Sequence, residues 1–225
     1  MKADHAIILA AGKSLQLDGK NKVLIRHPQS QKTILDRAIE AFAGKHITVV
    51  VGFGALQIME RYPQLHYIIN ENWANTNNAM SLGLALSQVG EPTYVVSGDI
   101  FFSGALIAEM DNRSGNLILT EERENRMLTS LHCELDAQGK ISNIYGGPIR
   151  ASQHPEAIGL FKITDRELLK SWHKQCLRFG NLFAGQTLPC QEDSPLYAHD
   201  LGTHPFCEIN SIADYWRLVQ TEYQP

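Results

Sequence analysis

Apolar residues recur through the first 120 positions in short runs separated by helix-spaced stretches. Runs at 5–10, 46–51, 65–70, 93–97 and 116–120 are rich in Ile, Val and Leu. They show little polar alternation, as expected for strands covered on both faces. Between the first two, Ile34, Leu35, Ala38, Ile39 and Phe42 share one face of a helix predicted over 33–43. Thr33 and Asp36 give it a capping-box signal, although Asp is a weaker partner there than Glu. Further helices are predicted at 55–61 and 77–88. This alternation predicts βαβ units: an α/β, Rossmann-like fold with a mixed, mainly parallel sheet flanked by helices. After residue 125 the period changes. Met127, Thr129, Leu131, Cys133 and Leu135 alternate with Leu128, Ser130, His132 and Glu134 before the turn Asp136-Ala137-Gln138-Gly139, which predicts an antiparallel hairpin. A strand at 157–163, a helix at about 165–178, a Gly-, Pro- and polar-rich loop to about 205 and a helix at 211–222 complete the chain. With no repeat or linker, residues 1–225 read as one domain with a hairpin-containing region at about 125–207.

Composition narrows the function. With 225 residues, 44% of them hydrophobic, the chain can bury one sizeable core. Its net charge of −4 opposes non-specific nucleic-acid binding, which needs a basic face, so any bound nucleotide is a small one. No apolar run approaches the roughly 18 residues of a membrane span, and no signal-type cleavage site follows the N-terminal residues, so a cytoplasmic protein is expected. Cys133, Cys176, Cys190 and Cys207 lack CxxC spacing and read as reduced core or near-surface thiols.

In an open parallel sheet, ligands sit beyond the carboxyl ends of the strands. Ile7-Ile8-Leu9-Ala10-Ala11-Gly12 is a buried strand running into a small-residue turn whose backbone N–H groups can face an anion, and Lys22 brings a mobile positive charge. Gly52-Phe53-Gly54 follows the second strand, and an Asn-rich loop from Asn70 to Asn78 follows the third. Asp99 lies directly past the fourth strand, with Gly98 leaving room beside it, and suits a hard cation such as Mg2+; capping a following helix is its alternative role. Glu208-Ile209-Asn210 offers further oxygen ligands. Asn77, Asn78 and Ser81 supply donors and acceptors for a pyrimidine edge at a helix start where backbone N–H groups are also expected to be free. Helix capping by either Asn fits equally well. Neither GxxxxGK[ST] nor a GxGxxG after the first strand is present, which disfavours P-loop hydrolases and dinucleotide oxidoreductases. His199, His204 and Cys207 match no tetrahedral zinc spacing and read as loop residues.

The order Leu9-Ala10-Ala11-Gly12, Leu17, Lys22-Val23-Leu24, Val50-Val51-Gly52-Phe53, Asn75 to Leu82, Gly98-Asp99 and Glu208-Ile209-Asn210 resembles the nucleotidyltransferases with the N-terminal pattern LAAGxGxRLxxxxPKxL. Asn77-Asn78-Ala79-Met80-Ser81-Leu82 and Gly98-Asp99-Ile100-Phe101-Phe102 look most like bacterial choline-phosphate cytidylyltransferases and their aminoethylphosphonate relatives. The resemblance implies transfer of CMP from CTP to a small phosphorylated or phosphonated amino alcohol, with release of pyrophosphate and Mg2+ as cofactor. It implies that Leu9, Ala10, Ala11, Gly12, Asn77, Asn78 and Ser81 bind the nucleotide and that Lys22 and Asp99 are catalytic. Asp99, Glu208 and Asn210 would hold the metal, and about 125–207 would form the acceptor side. A sugar-1-phosphate nucleotidyltransferase and a non-catalytic nucleotide-binding relative are the alternatives. The chain departs from the pattern at Ser14 and Gln16, where Gly and Arg stand, at Asn21 in place of Pro, and at Asn210 in place of Asp. Lys13 or Lys20, in the same loop, can supply the missing Arg charge, although either reads more readily as a surface lysine. For an ammonium-bearing acceptor an aromatic face is expected; Trp73 is preferred, with Trp172, Tyr197 and Phe206 as further candidates. A homodimer is compatible with the sequence, which does not fix the oligomeric state.

Overall fold

The structure is a computed structural model that describes residues 2–14, 17, 19–122 and 130–221. Among these, the strands β1 (His5–Ala10), β2 (His46–Val51), β3 (His66–Ile69), β4 (Thr93–Ser97), β6 (Asn116–Glu121), β9 (Glu156–Ile163) and β10 (Leu196–Asp200) form the order β10-β6-β9-β4-β1-β2-β3. The hairpin β7 (Leu131–Leu135) and β8 (Ile141–Gly146) joins this sheet through β9, and a separate ribbon pairs β5 (Ile100–Phe102) with β11 (Phe206–Glu208). The pairs β1–β2, β2–β3, β1–β4 and β6–β10 are parallel, whereas β9 runs antiparallel to both β4 and β6. The main sheet is therefore mixed and mainly parallel, as the strand–helix alternation predicts.

Two apolar layers explain the continuous hydrophobic runs. Ala6, Ile8 and Ala10 of β1, with Val49 and Val51 of β2, face one layer that includes Leu35 and Ala38 of α1 (Ile34–Ala41), Phe42 at its C-terminal cap and Leu106 of α4 (Gly104–Asn112). Ile7, Leu9 and Val50 face the other, with Leu82 of α3 (Asn78–Leu86) and Trp172 of α5 (Arg166–Arg178). Helices α2 (Ala55–Arg61) and α6 (Ile212–Thr221) complete the set. The Thr33 capping box forms in full: Thr33 Oγ1 accepts from Asp36 N at 2.9 Å, and Asp36 Oδ2 accepts from Thr33 N at 2.7 Å. Tyr62 donates to the same carboxylate at 2.9 Å, a tertiary contact that strengthens the short Asp cap.

Several expectations change. The hairpin is built from β7 and β8 around a turn at 136–139, with Asp136 Oδ1 accepting from Gln138 N and Lys140 N and Gly139 at φ 76°; Met127, Leu128 and Thr129 lie outside the described residues. The segment expected to be loop up to about 205 contains a 3-10 helix, Ala184–Thr187, and the strand β10. His199 and Cys207 accordingly belong to β10 and β11. Cys133, Cys176 and Cys207 are buried and Cys190 is half-buried.

Candidate active site

The chain runs β1 to β2 to β3 on one flank of the sheet and then crosses to β4 on the other flank of β1. That reversal opens a crevice beyond the carboxyl ends of β1 and β4. Glycine shapes it. Gly98 N donates to Leu9 O at 2.9 Å, and a Cβ at Gly98 would lie 2.6 Å from that oxygen and 2.8 Å from Val23 Cγ1. Only a residue without a side chain lets the turn after β4 press against β1 and the 3-10 helix Lys22–Leu24. Asn21, standing where the resembled pattern has Pro, stiffens the entry to that helix: its Oδ1 accepts from Val23 N at 3.3 Å and its Nδ2 donates to Phe53 O at 3.1 Å.

These constraints bring Lys22 to Asp99. Lys22 Nζ donates to Asp99 Oδ2 at 2.9 Å and to Asn210 Oδ1 at 2.6 Å, although Asn210 is 188 positions away in the chain. The β5–β11 ribbon makes this closure, placing Glu208 opposite Ile100 while Ile209 N donates to Asp99 O at 2.9 Å. Asp214, in the first turn of α6, accepts from Asn210 N at 3.0 Å and from Ser211 N at 2.7 Å and so fixes the Asn210 backbone. Burial, and then the negative charge of Asp99, pushes the half-buried Glu208 carboxyl above the usual carboxylate range, against a hydrogen bond from Asn210 and the charge of Lys22. Asp99 does not cap α4; Ser103 does, accepting from Leu106 N at 3.3 Å.

The Asn-rich loop is ordered by a residue whose importance its sequence context hides. Buried Asn70 donates to Ser81 Oγ at 3.0 Å and Thr76 Oγ1 at 3.1 Å, and accepts from Asn72 N at 3.0 Å. Asn77 caps α3, accepting from Asn78 N at 2.8 Å, and Asn78 Oδ1 accepts from Ala184 N at 2.7 Å. The backbone N–H groups expected to be free at this helix start are taken: Ala79 N donates to Leu182 O and Met80 N to Asn77 O. What remains for a ligand among the described residues is the Nδ2 group of each Asn and the hydroxyl proton of Ser81.

One cavity of 570 Å³ unites these parts. Leu9, Ala10, Ala11, Gly12, Trp73, Asn77, Asn78 and Ser81 line its β1–β3 side, and Lys22, Asp99, Glu208 and Asn210 meet at the switch point. Ser130, Glu156 and Phe161 line the β7–β9 side. Trp73 packs edge-on against Phe53 at 5.3 Å, so it stands beside the Gly52 turn rather than in the hairpin region. Of the other aromatic candidates, Trp172 is fully buried with Nε1 donating to Ala184 O, and Tyr197 and Phe206 pack on the core. Lys13 lines the cavity as well, whereas Gln16 lies outside the described residues. Glu156 and Ser130 escaped the sequence reading, which starts the strand at 157; a charge heading an otherwise apolar strand was the available signal.

Asp99, Glu208 and Asn210 offer only oxygen donors, the set a hard divalent cation takes. No cluster of three or more His, Cys, Asp or Glu suited to a metal occurs among the described residues, so the amide oxygen of Asn210 would complete the trio.

A switch-point crevice with a basic side chain held between oxygen donors and an amide-rich wall beside it is the architecture of a nucleotide-handling transferase. The sequence agrees: the family model of the MobA-like NTP transferase domain matches residues 6–178, more than half of the chain, and the chain belongs to that family of nucleotidyltransferases. Its fold is similar to CTP:phosphocholine cytidylyltransferase from Streptococcus pneumoniae, with a TM-score of 0.75 and 18% identity, covering 98% of this chain and 99% of that one. It is similar to the inositol-1-phosphate CTP transferase from T. maritima, with a TM-score of 0.76, 17% identity and coverage of 99% and 98%. A nucleoside-diphosphate-sugar pyrophosphorylase from Vibrio cholerae gives a TM-score of 0.73 at 13% identity, covering 95% and 99%. At these identities the likeness is one of fold. No helix among the described residues is long and apolar enough to cross a membrane.

Proposed function

We propose that the chain is a Mg2+-dependent cytidylyltransferase that moves CMP from CTP to the phosphate or phosphonate oxygen of a small amino alcohol derivative, releasing pyrophosphate. The observation that carries this reading is the Lys22 ammonium, held 2.9 Å from Asp99 and 2.6 Å from Asn210 at the switch point of the sheet. The Nδ2 groups of Asn77 and Asn78 favour cytosine over uracil, because the cytosine edge presents two adjacent acceptors where uracil interrupts them with a donor. Leu9 to Gly12 carry the nucleotide backbone, and the region at about 125–207 forms the acceptor side of a single domain.

Transfer needs no covalent enzyme intermediate. An acceptor oxygen attacks the α-phosphorus of CTP, the bond from that phosphorus to the bridging oxygen breaks, and its electron pair leaves on pyrophosphate. The protein's task is to align and neutralise two anions. Two unit charges about 4 Å apart repel by about 4 kcal/mol at an effective dielectric of 20, so a cation at the α-phosphate is required. Lys22 supplies it once it turns from Asp99 and Asn210 toward the incoming phosphate, and Lys13 adds a second charge at the nucleotide end. Bound by Asp99, Glu208 and Asn210, Mg2+ would neutralise phosphate charge and relieve the repulsion between the two carboxylates.

The test is an acceptor panel: purified protein with CTP, UTP or dTTP, Mg2+, and amino alcohol phosphates, phosphonates or sugar 1-phosphates, followed by pyrophosphate release. CTP with an amino alcohol derivative is the expected productive pair. Release with sugar phosphates alone would replace this reading by sugar-phosphate nucleotidyl transfer, and nucleotide binding without release for any acceptor would indicate a non-catalytic relative. The same proposal includes a cytoplasmic location and a homodimer, which fractionation and light scattering check.

A further inference from the structure

Glu156 heads β9 and borders the cavity with only 6% of its surface exposed. Its Oε1 accepts from Ser130 Oγ at 2.6 Å, while Oε2 is buried without a hydrogen-bond partner among the described residues. No Lys, Arg or His side chain pairs with this carboxylate among the described residues, and the charged group it does influence is Glu208, another carboxylate across the cavity. A buried carboxylate oxygen without donor or counter-charge is costly, and such a group in a ligand cavity marks the place of a missing partner.

We propose that Glu156 is the specificity residue for the acceptor and that it binds a primary ammonium group. This rests on the cytidylyltransferase reading and sharpens it. Three ligand chemistries are compatible with a carboxylate: a sugar hydroxyl, a quaternary ammonium and a primary ammonium. A hydroxyl satisfies the hydrogen bond and leaves the charge uncompensated. A quaternary ammonium supplies charge but no N–H donor for Oε2. A primary ammonium supplies both. On the same side of the cavity, Leu131 and Phe161 close against Gly185, where a Cβ would lie 2.7 Å from Leu131 Cδ1 and 3.2 Å from Phe161 Cζ. This apolar wall suits a short alkyl linker between the ammonium and a phosphorus group directed at Lys22. Glu156 thus holds the far end of the acceptor while Lys22 and the metal ligands hold its reacting end.

The experiment measures pyrophosphate release with CTP and 2-aminoethylphosphonate, phosphoethanolamine, phosphocholine or glucose 1-phosphate, for the native chain, Glu156→Gln and Ser130→Ala. The native enzyme is expected to prefer the primary amines over phosphocholine by at least about tenfold in kcat/KM, the scale of one charge-assisted hydrogen bond. Glu156→Gln should raise KM for the primary amines by about tenfold or more, with a smaller rise for phosphocholine and KM for CTP nearly unchanged; Ser130→Ala should move the amine KM by less. Equal use of phosphocholine or glucose 1-phosphate by the native enzyme, or an unchanged amine KM in Glu156→Gln, overturns the proposal while leaving cytidylyl transfer intact. If no acceptor releases pyrophosphate, the transfer reading fails on its own. Calorimetric titration of 2-aminoethylphosphonate then decides the Glu156 site: binding lost in the Gln variant supports it, and equal binding or none by the native chain overturns it.

Discussion

Replacing Lys22 by Met keeps the length of the side chain and removes its charge, which makes it the sharpest perturbation of the reacting end. Lys22 Nζ makes two short hydrogen bonds, to Asp99 and Asn210, and its side chain is only 20% exposed. Its charge is therefore partly shielded from water, where an effective dielectric of about 20 gives about 4 kcal/mol for a phosphate charge at 4 Å. Loss of one preorganised electrostatic contact at developing charge typically costs about 3–4 kcal/mol, so kcat/KM for CTP should fall by about 10²–10³-fold. Lys13 does not rescue it, because its ammonium sits over the Phe53 ring at 5.3 Å, away from the Asp99–Asn210 pair. Stability should fall by about 1–3 kcal/mol, since Asp99 and Asn210 lose a donor and Glu208 loses the influence of a nearby cation. The assay is initial-rate pyrophosphate release well below the melting temperature, with circular dichroism to verify the fold. A folded Lys22→Met variant within about threefold of the native kcat/KM would refute the assignment, since the effect expected from charge loss is far larger.

Other changes probe the remaining links. Gly98→Ala should reduce activity severely and lower the melting temperature, because its Cβ would meet Leu9 O at 2.6 Å and force the turn carrying Asp99 away from Lys22. Asn210→Asp adds a charged ligand beside Asp99 and Glu208, and half-saturating Mg2+ in the rate assay should drop; an unchanged Mg2+ dependence would place the metal elsewhere. The fold also carries a readable acid response. Burial raises the Asp36 pKa, but hydrogen bonds from Thr33 and Tyr62 and the charge of Arg61 outweigh it, so the carboxyl titrates below its ordinary value. A depressed folded pKa contributes stability above the unfolded value of about 3.9 and loses it as pH falls through the folded one. Denaturant unfolding should therefore show Asp36→Asn about 1–2 kcal/mol less stable above about pH 5, with the gap closing in acid.

The core strands were legible because burial on both faces leaves a short apolar run bounded by turn residues, as in Ile7 to Ala10 before Gly12 and the β-branched Val49 to Val51 before Gly52. β10 was not, since Leu196-Tyr197-Ala198-His199-Asp200 is an edge strand after Pro195 and only half of it faces the core. Phe206 to Glu208 is likewise too short to signal a strand, and its pairing with Ile100 to Phe102 is a tertiary event. Lys22, Asp99 and the Asn-rich loop could be found as residues following strands. The contact of Lys22 with Asn210 could not be read, because it depends on the ribbon and on Asp214 holding Asn210 in place. Asn70 and Glu156 illustrate the same limit. One looks like part of a polar loop and the other like a strand terminus, and only packing reveals that Asn70 organises the loop and Glu156 borders the cavity.

The most direct measurement is phosphorus NMR of the reaction of CTP, Mg2+ and 2-aminoethylphosphonate, run with the native chain and with Asp99→Ala. The native chain should yield a new cytidine-linked P–O–P product and one pyrophosphate per product, and Asp99→Ala should yield neither while retaining its fold. Absence of that product from the native chain with every amino alcohol acceptor, or its undiminished formation by Asp99→Ala, would contradict the account.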